Sequence, residues 1–299
     1  MTIAPGAQPL SRSLPTSVSV IIPVRNGADT IGDQLDALAA QTYTGSWEVI
    51  VADNGSTDGT PTIAAKWTSR LPALTILDAS MQPSAPFARN FAAGQATGEF
   101  LAFCDADDVV DPEWLTALAA AACEFDIVTG PQEATQINSV AVQSWRPARS
   151  AKLARPNGFL PFAPSCNVGV WASVFRETGG FNEEYPAAED VEWSWRAVLA
   201  SFTLGFADRA VVHYRYRSSP LAAARQGYNS AIGSARLYRD YRSLGLKRAP
   251  FTRSLRTLVW LVARLPYLFS PARRGIWMRR AGETAGRVSG SIRFHVLFL

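Results

Sequence analysis

Acidic residues all but vanish from the last third of the chain: residues 209–299 hold 2 Asp/Glu against 18 Lys/Arg, whereas residues 1–208 hold 23 against 11. The net charge of +4 therefore conceals −12 followed by +16, so the two parts face different surroundings. Cysteine is scarce too. Cys104, Cys123 and Cys166 are an odd number without zinc-ligand spacing, which excludes a disulfide scaffold and argues for buried free thiols in a reducing cytoplasm. Long apolar runs are missing: the best, LVWLVARLPYLF at 258–269, is broken by Arg264 and Pro266 and falls short of the roughly 18 residues a spanning helix needs. Residues 1–16 lack the apolar centre of a signal peptide and read as a disordered lead-in. No G-x-G-x-x-G follows the first strand-like run, which removes a dinucleotide-dependent dehydrogenase.

What is present is an α/β chain. With 299 residues, 47% of them hydrophobic and 18% charged, it can bury one large core, or a core plus an appendage. SVSVIIPV is a buried strand of the parallel type, and Ile31, Leu35 and Leu38 follow at helical spacing. WEVIVA (47–52), LTIL (74–77), FLAFC (100–104) and FDIVTG (125–130) read as further strands. Helices fit between them, one capped by Thr60 before Pro61 and one by Asp111 before Pro112. Such alternation predicts a mostly parallel sheet flanked by helices, with ligands bound beyond the carboxyl ends of the strands. PVRN (23–26), DNGSTDG (53–59) and DADD (105–108) all fall at such ends and should converge on one crevice. From about 132 to 163 the pattern turns irregular, and loops 132–165 and 179–188 are placed to shape specificity.

Four aspartates (105, 107, 108 and 111) crowd into seven positions, and like charges this close need compensation. Asp111 is accounted for as a cap. If the strand stays extended, Asp105 and Asp107 straddle Ala106 and point the same way, so together they could hold a hard divalent cation, magnesium or manganese, completed by substrate phosphates. Asp53 could accept from a base imide or a ribose hydroxyl, and Asn54-Gly55 permits a turn with positive φ. Arg89 is a fixed charge placed to meet a phosphate or the aspartates. Glu189 and Asp190 open a helix, where carboxylates serve equally as caps or as a general base. His213, one of two histidines, is either structural or a further metal ligand.

The succession SVIIPVRN, VIVADNGSTDGT, ARNFAAGQATGEFLAFCDADD and GGFNEEYPAAEDVEWSWR resembles the family 2 glycosyltransferases of GT-A fold over about residues 17–217. The resemblance implies a nucleoside-diphosphate-sugar donor, a UDP-sugar first, a divalent cation (Mn2+ or Mg2+) and inversion by direct displacement. By motif position it implies that Pro23, Arg25, Asn26, Asp53, Asn54, Arg89 and Asp105 bind the nucleotide sugar. Asp105 and Asp107, with His213, would form the metal site; Asp190 would take the acceptor proton and Glu189 would position the acceptor or the base. Two departures stand out: Asn54 replaces a frequent second acid, and Arg25 stands where many members have an aromatic or small polar residue. The D-x-D-x-V turn also resembles the nucleophile loop of haloacid-dehalogenase-like phosphatases, with Asp105 attacking phosphate, and a non-catalytic scaffold is a third reading.

The transferase domain is expected over 17–220 and a basic, amphipathic helical region over 221–299. Arginines mixed with Trp, Phe and Leu suit a helix lying in an anionic membrane interface. That expectation places the protein in the cytoplasm, peripherally on the inner face of the cell membrane, serving a carbohydrate or lipid-linked acceptor in envelope polysaccharide or glycolipid synthesis. The competing expectation is a helical pair docked on the acidic domain; no nucleic-acid partner is expected, because no recognised nucleic-acid fold accompanies the basic stretch.

Overall fold

The computed structural model describes residues 12–146, 152–185, 187–248 and 250–298. β1 (Ser17–Val24) is buried from Val18 onward, as a strand covered on both faces must be. Its two faces feed two cores. Val18, Val20, Ile22 and Val24 meet Ile31, Leu35 and Leu38 of α1 (Ile31–Ala39), whereas Ile21 faces the layer built by α3. β2 (Ser46–Asp53), α2 (Thr60–Ala64), β3 (Leu74–Asp78), α3 (Ala85–Gln95) and β4 (Phe100–Cys104) complete the expected alternation. The four strands are mutually parallel, in the order β3-β2-β1-β4.

Beyond β4 the chain continues through β5 (Val109–Val110), α4 (Trp114–Ala121), β6 (Ile127–Thr129), β7 (Gln132–Glu133) and α5 (Val140–Gln143). Then come β8 (Asn167–Trp171), α6 (Ala172–Glu177), α7 (Glu189–Leu199), β9 (Leu204–Phe206) and β10 (Val212–His213). The expected FDIVTG strand forms as β6, but not beside β4. Between them lies β8, antiparallel to both, and the seven-stranded sheet reads β3-β2-β1-β4-β8-β6-β9. The sequence reading missed β8 because NVGVW carries Gly169 at its centre, a weak strand residue. The glycine is needed there: a Cβ would run into the Phe100 ring.

Two capping expectations are corrected. Thr60 is the first helical residue, Gly59 precedes it in left-handed backbone (φ 81°), and Asp58 Oδ1 accepts the Thr60 N–H at 3.1 Å. Asp111 accepts from Glu113 N at 3.1 Å, so it caps the turn that leads into α4 rather than the helix itself. The lead-in also ends earlier than expected. Residues 1–11 lie outside the described residues, but Arg12 pairs with Asp126 at 2.9 Å and the Pro15 carbonyl accepts from Tyr43 Oη at 3.0 Å.

β5, β10 and β7 form a small second sheet that returns the chain to the acidic turn after β4. Ser219 then caps α8 (Pro220–Tyr241), accepting from Ala222 N at 3.1 Å. α8 packs along α10 (Arg274–Arg293) through small residues: a Cβ at Gly290 would sit 2.7 Å from that of Ala235. Its Leu237 and Tyr241 dock on Tyr185 and on Val191 and Trp195 of α7. The docked helical pair is therefore real for α8 and α10. α9 (Phe251–Ala263) differs: it has no buried residue among its described side chains, and Val259 and Val262 are 62% and 70% exposed. Among the described residues no helix is long and apolar enough to cross a membrane. Among the described residues no disulfide joins Cys104, Cys123 or Cys166.

Candidate active site

The strand ends do converge. Pro23, Arg25, Asn26, Asn54, Arg89, Asp105 and Asp107 line one cavity of about 580 Å³ at the carboxyl ends of β1 and β4. Backbone chemistry laces its wall. Asn54 N donates to the Val24 carbonyl at 2.7 Å, and Gly27 N to Thr60 Oγ1 at 2.9 Å. Asn26, at φ 54°, donates through its N–H to Ser56 Oγ and accepts from Thr57 N, both at 2.8 Å. Ala28 N donates to Asp58 Oδ2 at 3.0 Å. DNGSTDGT is thus a fastener between the first two strand ends, with Gly55 at φ 78° as its turn. Asn54 gives both amino protons to the carbonyls of Ala79 and Gln82, at 2.6 and 2.7 Å, which leaves no side-chain donor for a nucleoside. Asp53 differs: Oδ2 accepts from Ser56 N at 3.2 Å, while Oδ1 is buried with no hydrogen-bond partner among the described residues. Asp53 does not itself line the cavity, and a buried acceptor of this kind is met by a water or by a ligand donor.

The acidic crowding is offset mainly by guanidiniums. β4 ends at Cys104, and residues 105–108 form a turn, with Asp108 N 3.4 Å from the Asp105 carbonyl. Strand alternation is therefore not what brings Asp105 and Asp107 to one cavity; the turn does. Arg89, 4% exposed, reaches Asp105 through Nη2 at 2.6 Å and Glu189 through Nη1 at 3.1 Å. Burial works against its charge, but Asp105 and Glu189 outweigh it and hold the guanidinium more firmly protonated than usual. Asp107 is pushed above the usual carboxylate range by burial, against the pull of Arg217, whose guanidinium contacts it directly. Arg215 donates from Nε to the Asp107 carbonyl at 2.7 Å and from Nη2 to Asp33 at 2.9 Å, and its N–H donates to Asp108 Oδ1 at 2.8 Å. Arg215 and Arg217 both line the cavity. The sequence reading passed over them, although their alternation with His213 in HYRYR was visible.

His213 lies apart. Its Nδ1 is 3.0 Å from Glu133 Oε2 and its Nε2 is 4.0 Å from Asp111, within the small sheet. Burial would raise Glu133, but hydrogen bonds from Thr135 and His213 outweigh it and hold the acid down at about 2. The donor atoms that cluster are instead those of Asp105, Asp108 and Cys166, all within 4.8 Å of one another. Asp108 and Cys166 were not anticipated as ligands, because they lie 58 positions apart and only the antiparallel β8 brings them together. Two carboxylate groups beside the cavity fit a hard divalent cation, which prefers oxygen; the thiol does not add to that fit.

At the start of α7 the two acids are fixed differently. Ala188 takes left-handed backbone (φ 68°), turning the chain into the helix. Asp190 accepts from Val191 N through Oδ1 at 2.8 Å and from Ser165 N through Oδ2 at 3.2 Å. Burial raises it above the ordinary range against those bonds. Burial, and then the adjacent Asp190 carboxylate, push Glu189 up to about 7, against the pull of Arg89. A carboxylate with raised proton affinity, anchored by backbone amides, is what general-base chemistry requires.

The family pattern described as "Glycosyl transferase family 2" matches residues 19–179, more than half of the chain. The chain belongs to glycosyl transferase family 2. That membership removes the basis for the phosphatase reading of Asp105. Among curated family relatives, glycosyltransferase AglE from Haloferax volcanii is 34% identical over 194 residues, covering 64% of this chain and 64% of AglE. The uncharacterized glycosyltransferase YibD from Escherichia coli is 25% identical over 235 residues, covering 74% of this chain and 67% of YibD. The chain thus spans about two thirds of the length of these two relatives. Of solved structures, mannosyltransferase PcManGT from Pyrobaculum calidifontis, in complex with GDP-Man and Mn2+, superposes with a TM-score of 0.64 at 19% identity, covering 95% of this chain and 89% of that one. S. aureus TarS 1–349 in complex with UDP gives 0.54 at 21% identity, covering 93% and 91%. These likenesses show the GT-A fold, with the helical C-terminal region following it.

Proposed function

We propose that this family 2 member is an inverting glycosyltransferase that moves a sugar from a nucleoside-diphosphate sugar to a hydroxyl acceptor. The observation that carries the reading is Arg89, a buried guanidinium that ties Asp105 of the cavity floor to Glu189 at the start of α7. It sets a metal-competent acid at a fixed separation from Glu189, the neighbour of the base Asp190. The complexes of PcManGT with GDP-Man and of TarS with UDP support the donor class. Uracil and guanine both offer an N–H to the open Asp53 Oδ1, so that atom suits either base.

A divalent cation held by Asp105 with Asp107 or Asp108 would supply neutralisation of charge on the departing diphosphate. The chain's own groups do the rest. Asp190 takes the proton from the acceptor hydroxyl as its oxygen bonds the anomeric carbon, and the bond from that carbon to the diphosphate oxygen breaks. The nucleoside diphosphate leaves with the electron pair, and the new bond forms on the opposite face. Glu189, held by Arg89, positions the acceptor end of the site. Arg217, exposed by about half and paired with Asp107, is free to turn toward a bound diphosphate. His213 stabilises the small sheet beside the acidic turn in this reading.

The acceptor is a carbohydrate or a lipid-linked saccharide of the cell envelope, and the protein sits peripherally on the inner face of the membrane. Support for that placement is the charge of +16 over residues 209–299 and the exposed apolar side of α9. The test is a panel of nucleotide sugars with and without Mn2+, read by thermal shift, because ligands of the native state raise its melting temperature. Absence of any metal-dependent shift across UDP- and GDP-sugars, from protein shown to be folded, would refute the donor reading. Deleting residues 251–299 and recovering the protein still in the membrane pellet would refute the attachment.

A further inference from the structure

The helical region contains a cavity that the proposed reaction does not use. A groove of about 950 Å³ opens between α8, α9 and α10, and no residue lines both it and the acidic cavity. Part of its lining is apolar: Leu237 and Leu246 are buried beneath it, while Leu255, Leu258 and Val288 remain 53%, 49% and 45% exposed. Arg253, Arg280 and Arg287 supply the rest of its character. Arg287 is destabilised as a cation: burial first, and then the neighbouring Arg253, lower its proton affinity against the smaller pull of Glu283. Glu283, one of two acids in this region, is taken by Arg279. Among the described residues none of Arg253, Arg280 and Arg287 has a carboxylate within ion-pair distance. Arg280 is instead held over the Trp260 ring at 4.0 Å.

Guanidiniums that outnumber the one acid lining the groove, Glu283, which is already paired with Arg279, form a place for an anion, and half-exposed leucines beside them form a place for hydrocarbon. One class of molecule meets both demands. We propose that this groove binds an anionic lipid, its phosphate between Arg253 and Arg287 with Arg280 alongside, and its chains against Leu255, Leu258 and Val288. The inference rests on the membrane-surface reading above and deepens it: the region grips individual phosphate-headed lipids rather than only sensing surface charge. The volume lies within the roughly 300–1,000 Å³ of ordinary ligand cavities.

The full chain is titrated calorimetrically with dioctanoyl phosphatidic acid below its aggregation threshold, with dioctanoyl phosphatidylcholine and with inorganic phosphate. In parallel it is floated on phosphatidylcholine vesicles with and without phosphatidic acid. Phosphatidic acid is expected to bind at least about tenfold more tightly than the other two ligands. The double variant Arg253→Gln/Arg287→Gln loses at least that factor, and melts higher than wild type without lipid because the mutual repulsion is gone. A variant that binds the short-chain lipid like wild type overturns the site, and equal affinity for inorganic phosphate overturns the lipid assignment. Leu258→Asn provides an independent variant: it should lose lipid affinity and keep the weak phosphate affinity, and the reverse overturns the apolar half of the site. Wild-type protein that binds short-chain lipid but fails to float sinks the membrane reading alone; flotation of wild type with no short-chain binding sinks the groove alone.

Discussion

The pair of acids opening α7 allows a quantitative check, with Glu189→Gln as the perturbation. Glutamine reproduces the neutral acid in shape and removes only the charge. In the metal-free native protein burial and Asp190 raise Glu189 from 4.5 to about 7. Between those values the native state keeps a proton that the unfolded chain has lost, so stability falls as pH rises through the window and stays lower above it. At 1.36 kcal/mol per unit the full gap amounts to about 3 kcal/mol, and since Asp190 and Arg89 share in the titration, about 1–3 kcal/mol is expected. The variant should match wild type near pH 4 and exceed it at pH 8 by about 1–3 kcal/mol, or roughly 2–5 °C in melting temperature for a chain of this size. Calorimetric scans in EDTA from pH 4 to 8 measure this. A variant less stable than wild type at pH 8 would refute the reasoning, because it would mean that the Arg89–Glu189 attraction exceeds the desolvation of the carboxylate.

The remaining expectations follow the same geometry. Arg89→Met leaves Asp105 and Glu189 without their shared cation, and chemical denaturation should register a loss of about 3–5 kcal/mol at pH 7. Asp190→Asn should keep the thermal shift produced by nucleotide sugar while turnover falls about 10²–10⁴-fold, the usual span for a general base. Asp107→Ala should abolish the metal-dependent part of that shift, measured on the same panel. Trp114→Phe removes the donor that satisfies Asn167 Oδ1 at 2.9 Å in the core, and urea titration should show a loss of about 1–3 kcal/mol.

Local chemistry carried much of the fold into view. The β-branched run of β1, the alternation of short apolar strands with helical spacing, and the polar clusters at strand ends all follow from rules acting over a few residues, and they locate the crevice correctly. Arg89 was legible as a charge near the aspartates, and Glu189-Asp190 as a helix start. Three things were not local. β8 enters between β4 and β6 only because Gly169 makes room for Phe100, a contact 69 positions apart. Asp108 and Cys166 come together across that same strand pairing, whereas His213, which the family resemblance put forward as a ligand, sits beside Glu133 in a sheet of two-residue strands. Arg215 and Arg217 reach the acidic turn because β10 returns the chain beside β5. By itself the sequence determined the first four strands, the approximate helix starts and the charged turns, since propensity, capping and hydrophobic period are short-range. Only the tertiary structure decided which charge meets which, because electrostatic partnership depends on distance and burial in three dimensions and leaves no period in the chain.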